Sequence, residues 1–209
     1  ERAQKKVEAM NFGGRKNIIE YDDVMNYQRE IVYDRRNYAM DGEDISSEIT
    51  DMANDYIQDI VEVYCSVENY NNWDWNQIEL DVMDTFSLDI SSCRDNISDK
   101  SELVESINKG VLEILKYKSE TSDPVMFEKF QRYIASSTID VNWREHLYAM
   151  DQLREGIGLR AYGQKNPLIE YKKEGFAMFD EMISNIDYEI LKKIFRTNID
   201  SISTTQTQA

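Results

Sequence analysis

Two cysteines, two prolines and a single histidine in 209 residues close off several kinds of chemistry at once. Cys65 and Cys93 have no Cys-x-x-Cys spacing and no second histidine beside them, so neither a zinc site nor a disulfide framework is expected, and a cytoplasmic setting is the default. His146 has no serine or cysteine nucleophile placed by the sequence to meet it. It follows Trp143 by three residues on one helical face, so it reads as a packed side chain or a hydrogen bond to a neighbouring helix. No apolar run approaches the ~20 residues that span a bilayer. The opening Glu1-Arg2-Ala3-Gln4 has no apolar core behind it, so no signal peptide is expected. The phosphate-cradling pattern Gly-x-x-x-x-Gly-Lys-Ser/Thr occurs nowhere, and the chain by itself is not expected to hydrolyse ATP or to hold a cofactor or metal. Asp22 and Asp23 diverge by about 100° on a helix and cannot converge on one ion. A salt bridge from this pair to Arg or Lys on an adjoining domain is the expected use.

Acid is what the chain has in excess. Forty Asp and Glu face 24 Lys and Arg, a net charge of −16, and residues 41–130 hold 22 of the acids against six bases. The flanking stretches are nearly neutral, which argues for an acidic domain set into a different one. A surface of that sign repels nucleic acid and anionic lipid, because neutralising phosphates takes clustered Lys and Arg. Its first reading is a solubilising face.

Apolar spacing of three and four recurs along the whole chain, and no strand pattern competes with it, so the class is all-α. Residues 1 to about 40 carry one stripe through Val7, Met10, Gly14, Ile18, Tyr21, Met25, Gln28 and Val32, a rod of roughly 60 Å at ~1.5 Å per residue. Gly13-Gly14 is a place for a kink or a close backbone approach. The rod begins inside its own periodicity, as expected of a piece of something larger. Asp41-Gly42 ends it. Shorter helices then follow, with stripes Ile45, Ile49, Met52, Tyr56, Ile60, Val63 and Val67; Ile78, Val82 and Phe86; and Leu103, Ile107, Val111 and Leu115. Asp123 caps the next start, and an apolar stripe runs from Phe127 to Trp143 and on through Leu147, Met150, Leu153 and Ile157. After a glycine-rich turn, Asn166-Pro167 supplies a cap and a proline at the first helical position. The return stripe is Phe176, Phe179, Ile183, Ile186, Ile190 and Ile194. This is an antiparallel helical hairpin with a basic tip that carries an aromatic, Tyr162, with nothing local to bury it. Trp143 reads as a buried anchor, and the methionines as pliable core.

The residues of the hairpin, Trp143-Arg144-Glu145-His146-Leu147, Met150-Asp151, Leu153-Arg154, Gly156-Ile157 and Leu159 through Pro167, closely resemble the two-helix finger of the SecA family of preprotein translocase motors. Arg2 through Glu8, Asn11-Phe12, Arg15-Lys16 and Glu20-Tyr21-Asp22-Asp23-Val24 resemble that family's long scaffold helix. The resemblance implies a long scaffold helix over 1–42, an inserted acidic helical wing over 43–122, a two-helix finger over 123–196 and a disordered tail over 197–209. It also implies that ATP and magnesium are held by motor domains outside this chain, and that family members end in a metal-binding tail which this sequence lacks. Arg160, Tyr162, Gln164 and Lys165 would touch the moving polypeptide or the channel mouth. Arg15, Tyr21, Asp22 and Asp23 would face the motor domains. The implied partners are the SecYEG channel, unfolded preprotein and the parent's own motor and preprotein-binding domains, at the inner face of the bacterial cell membrane, with peripheral contact to anionic lipid and none to nucleic acid. The alternative is a free-standing helical adaptor that binds another protein through the acidic wing.

Overall fold

In the computed structural model, residues 2–42, 44–65, 73–97, 99–160 and 166–198 are described, with backbone alone for 2, 3, 5–18, 95, 96 and 158–160. Six α-helices occupy them: α1 Arg2–Asp41, α2 Ile45–Tyr64, α3 Trp75–Phe86, α4 Lys100–Thr121, α5 Pro124–Arg160 and α6 Pro167–Arg196. A short 3-10 helix spans Ser91–Asn96, and no strand occurs among the described residues. The expected 40-residue rod is α1, which runs helically through Gly13 and Gly14.

Helix starts account for part of the acid. Every helix after α1 begins on an Asp or Asn whose side chain accepts from an otherwise unpaired backbone N–H. Asp44 takes Ser47 at 3.0 Å, Asp74 takes Gln77 at 3.2 Å and Asp99 takes Ser101 at 2.6 Å. Asp123 takes Met126 at 3.0 Å and Asn166 takes Leu168 at 3.0 Å, as the sequence led one to expect. A carboxylate there also faces the positive end of the helix dipole.

The chain divides into two compact units, one of residues 1–37 and 139–184, the other of 38–138 and 185–209. In the second unit α2 lies against both α3 and α4. Ile49 and Ile57 of α2, Ile78, Val82 and Phe86 of α3, and Leu103 and Ile107 of α4 are fully buried. The α6 residues Ile190, Ile194 and Phe195 are buried in the same unit, and the Phe86 and Phe195 rings meet edge to face with centroids 5.0 Å apart. Asp84 on α3 accepts from Tyr188 Oη and Lys192 Nζ, each at 2.6 Å, and from Arg196 at 2.8 Å. Bonds from Lys192 and Tyr188 hold its carboxyl below the usual aspartate range. That contribution is present above the unfolded pKa and is lost as pH falls through the folded one.

Two helix ends receive basic side chains from other helices. The last turn of α1 has no basic residue of its own. Arg132 of α5 donates to the carbonyls of Ala39 and Met40, each at 3.3 Å, and of Gly42 at 2.6 Å, while Glu128 holds the guanidinium at 2.8 Å. Lys118 of α4 is buried and donates to Thr197 O at 2.7 Å, just past α6. Arg132→Ala is expected to lower the urea-unfolding free energy by about 1–2 kcal/mol, since it strips charge-assisted donors from a helix end. Arg132→Lys should restore only part, because one ammonium nitrogen cannot span the carbonyls and the Glu128 carboxylate that the two terminal guanidinium nitrogens reach.

Where burial departs from the sequence reading, the cause is phase. In α2 the core side holds Ile45, Ile49, Ala53, Ile57, Ile60 and Val61, of which Ile45, Ile49 and Ile60 belong to the expected stripe. The expected set slipped at Met52, and its later member Val63 is 64% exposed. Val67 lies outside the described residues. In α4 the next buried residue after Val111 is Lys118 rather than Leu115. In α6 Phe176 is 67% exposed, and Tyr171, Met182 and Leu191 are buried instead. The 3-10 helix was not anticipated, since Ser91-Ser92-Cys93-Arg94-Asp95-Asn96 carries no apolar period. Trp73 and Trp75 are buried like Trp143, and the Arg94 guanidinium sits 5.7 Å from the Trp75 ring centre.

Candidate functional site

The first unit brings the middle of α1, the end of α5 and the start of α6 together, and pairwise contacts fix their directions. His146 meets Phe179, Met150 meets Gly175, and Leu153 clusters with Tyr171, so advancing along α5 means retreating along α6. These two helices are therefore antiparallel. On α1, Asp22 pairs with Arg154 at 3.2 Å, Gln28 with His146 at 2.9 Å and Arg36 with Asp140 at 2.6 Å, which makes α1 antiparallel to α5 as well. Gly175 permits the closest approach: a Cβ there would lie 2.7 Å from Met150 Cε.

A buried amide ties all three helices. Gln28 Nε2 donates to Gly175 O at 3.0 Å, and its Oε1 lies 2.9 Å from His146 Nε2. A carbonyl can only accept, so the amide nitrogen must face Gly175 and the amide oxygen must face the imidazole. His146 therefore carries its proton on Nε2 and donates to Gln28. Its ring stacks on Trp143 at 5.6 Å and meets Phe179 at 5.7 Å, and burial pushes its pKa below the ordinary value. This is the packed, hydrogen-bonded histidine expected from the sequence. Gln28 itself was placed on the apolar stripe with no hint of what it binds.

The scaffold residues singled out from sequence lie beside this seam. Tyr21 packs on Tyr171 with ring centroids 4.8 Å apart, and the Arg154 guanidinium stands 5.7 Å from the Tyr21 ring centre. Asp22, for which a partner on another domain was expected, has one in its own chain in Arg154. Asp23 borders an open, mostly apolar groove of about 310 Å³, with Val24 and Tyr27 of α1 and Lys172, Phe176 and Phe179 of α6 around it. Tyr27 is 64% exposed. Two large exposed rings next to one acidic and one basic residue form a surface suited to a protein partner. Sequence periodicity missed it, since it assigned Phe176 to the core and gave Tyr27 no place.

Of the remaining expected site residues, Arg15 and Arg160 lie in helices whose side chains there are outside the described residues, and Tyr162, Gln164 and Lys165 lie outside them altogether. The structure brings their flanks together, since α5 ends at Arg160 and α6 starts at Pro167 on the antiparallel partner. Among the described residues no group of three or more His, Cys, Asp or Glu could hold a metal ion, and no helix is long and apolar enough to cross a membrane.

Comparison with known proteins places these helices in a context. The profile of the SecA Wing and Scaffold domain matches residues 1–198. The chain is 40% identical over 204 residues to a protein named protein translocase subunit SecA from Endomicrobium trichonymphae, covering 96% of this chain and 24% of that protein. It is 38% identical over 202 residues to the protein of the same name from Syntrophobacter fumaroxidans and 36% identical over 200 residues to that from Heliobacterium modesticaldum, covering 95% of this chain and 24% of each relative. The chain thus spans about a quarter of the length of these relatives.

Proposed function

Because the chain belongs to the SecA wing and scaffold family, we propose that it is the helical scaffold and wing of an ATP-driven motor that moves unfolded preproteins through the SecYEG channel. The observation that carries this reading is the family match over nearly the whole chain, joined to the antiparallel α5–α6 pair it predicts. ATP and magnesium belong to motor domains in the rest of the longer protein, and this chain's contribution is mechanical. The free-standing adaptor is not favoured, since the relatives continue well beyond the matched region. The site of action is the cytoplasmic face of the cell membrane, as a peripheral protein.

Within that assembly the segment 160–165 meets the translocating chain or the channel mouth through Arg160, Tyr162, Gln164 and Lys165. Tyr162→Ala in the full-length motor should leave melting temperature and basal ATPase nearly unchanged. It should lower preprotein transport into vesicles several-fold or more, on the scale of losing a hot spot of ~2 kcal/mol. Transport equal to the parent would reduce the segment to a solvated loop.

The groove beside Asp23 is assigned to the parent's own motor or preprotein-binding domains. Phe176→Ser removes an exposed ring and should shift stability by less than ~0.5 kcal/mol. In the full-length protein it should lower channel-stimulated ATPase by roughly threefold or more, the range of a moderate interface residue. Unaltered stimulation would remove the groove from the coupling surface.

A further inference from the structure

The helix α3 is apolar on two sides. One side, Ile78, Val82 and Phe86, is the core side and is fully buried. Leu80 and Met83, three residues apart and so neighbours on the helix surface, face out at 62% and 43% exposure. A helix covered on one side ordinarily shows polar residues on the other. Here the exposed pair borders an open groove of about 510 Å³ whose lining includes buried Ile90 and the acidic residues Glu79 and Asp89, the latter accepting from Ser91 N–H at 2.9 Å.

We propose that this groove docks a basic amphipathic helix, with apolar side chains seated against Leu80, Met83 and Ile90 and with Lys or Arg flanks meeting Glu79 and Asp89. Charge selects the occupant. Residues 41–130 hold 22 acidic side chains against six basic ones. A phosphate-bearing membrane or nucleic acid is repelled by such a surface, and a second copy of this chain would bring the same sign to it. A cationic peptide is drawn in by the field and held by the apolar contact. Methionine at a recognition surface adapts to more than one apolar shape. Shape and charge together describe the helix-in-groove mode.

The test uses the 209-residue chain and a labelled peptide of leucine and lysine, about four helical turns long with leucines at spacings of three and four. Fluorescence polarisation should show saturable binding with a Kd on the order of 10 μM, in the range of weak, transient recognition. Leu80→Ser combined with Met83→Ser alters only exposed side chains and should weaken binding at least ~tenfold, about 1.4 kcal/mol, with circular dichroism and melting temperature retained. Glu79→Lys, an independent variant, should weaken it several-fold. A peptide with alanine in place of leucine separates groove binding from attraction to a diffusely acidic surface, and should bind far less. Four results would overturn the proposal: no saturable binding, equal binding by the alanine peptide, equal binding to the Ser/Ser variant, or tighter binding of phosphatidylglycerol vesicles than of the peptide. A dimer in sedimentation that the Ser/Ser variant abolishes would assign the groove to self-association and overturn it too.

Discussion

Tyr171→Ala is expected to destabilise the first unit by about 3–5 kcal/mol, the range for emptying a large ring from a closed core. The Tyr171 ring is 1% exposed and packs with Met150, Leu153 and Ile157 of α5 and with Tyr21 of α1. Its loss therefore opens a cavity in contact with all three helices, and neighbours held on separate rods collapse into it poorly. Tyr171→Phe keeps the ring and should lose only a small part of that energy. Urea unfolding followed by circular dichroism measures both, and an alanine variant within 1 kcal/mol of the parent, a bound set well under the ~3 kcal/mol expected of such a site, would mean that the seam closes by other means. On the function proposed above, the alanine variant of the longer protein should lose preprotein transport at temperatures where the parent still works, although residues 160–165 are unchanged.

Gln28→Ala is the second large effect, at roughly 2–4 kcal/mol. It leaves the buried Nε2–H of His146 without an acceptor and removes the volume that fills the space between three helices. Gln28→Glu tests the hydrogen-bond assignment: it keeps the shape and an acceptor for His146, but turns an oxygen toward Gly175 O, so it should also destabilise. Burial of the same imidazole sets a pH dependence. Burial lowers the His146 pKa below its unfolded value of 6.5, so the unfolded chain binds the proton more readily. Stability is complete above about pH 6.5 and falls as pH drops below it, with a slope of at most ~1.4 kcal/mol per pH unit, levelling once the folded pKa is passed. In His146→Gln that slope between pH 7 and pH 5.5 should flatten. An unchanged slope would assign the proton uptake to another group.

Helix existence was legible because apolar spacing survives in every element, and starts were legible because Asp123 and Asn166 are capping residues placed just ahead of periodic runs. Which side of a helix is buried was less so. One slipped residue in α2 exchanged Ala53 for Met52, because a short alanine looks like a weak core residue beside a methionine, yet close packing of helices favours it. Phe176 was placed inside for being phenylalanine, and its exposure is what makes the groove next to Asp23. The polar seam was the hardest to foresee. The stripe marks Gln28 as inward-facing, but nothing local names what it binds, since its partners lie more than a hundred residues away. The 3-10 helix, whose ladder is local and whose side chains are polar, left no period to find.

The donors supplied by Arg132 and Lys118 bear on how modules of this family can be exchanged. Cutting the acidic segment at its compositional edges, near 41 and 130, takes Lys118 away from the Thr197 carbonyl it serves, and leaves Arg132 facing a foreign turn in place of the Gly42 carbonyl. It also separates Ser46 from its 2.9 Å bond to Gln131. A graft between relatives should therefore take its sutures from donor–acceptor bookkeeping, with 39–138 and the stretch from 185 onward drawn from one parent. A chimera cut that way keeps every cross-helix cap native, whereas one cut by charge alone inherits two frayed rods.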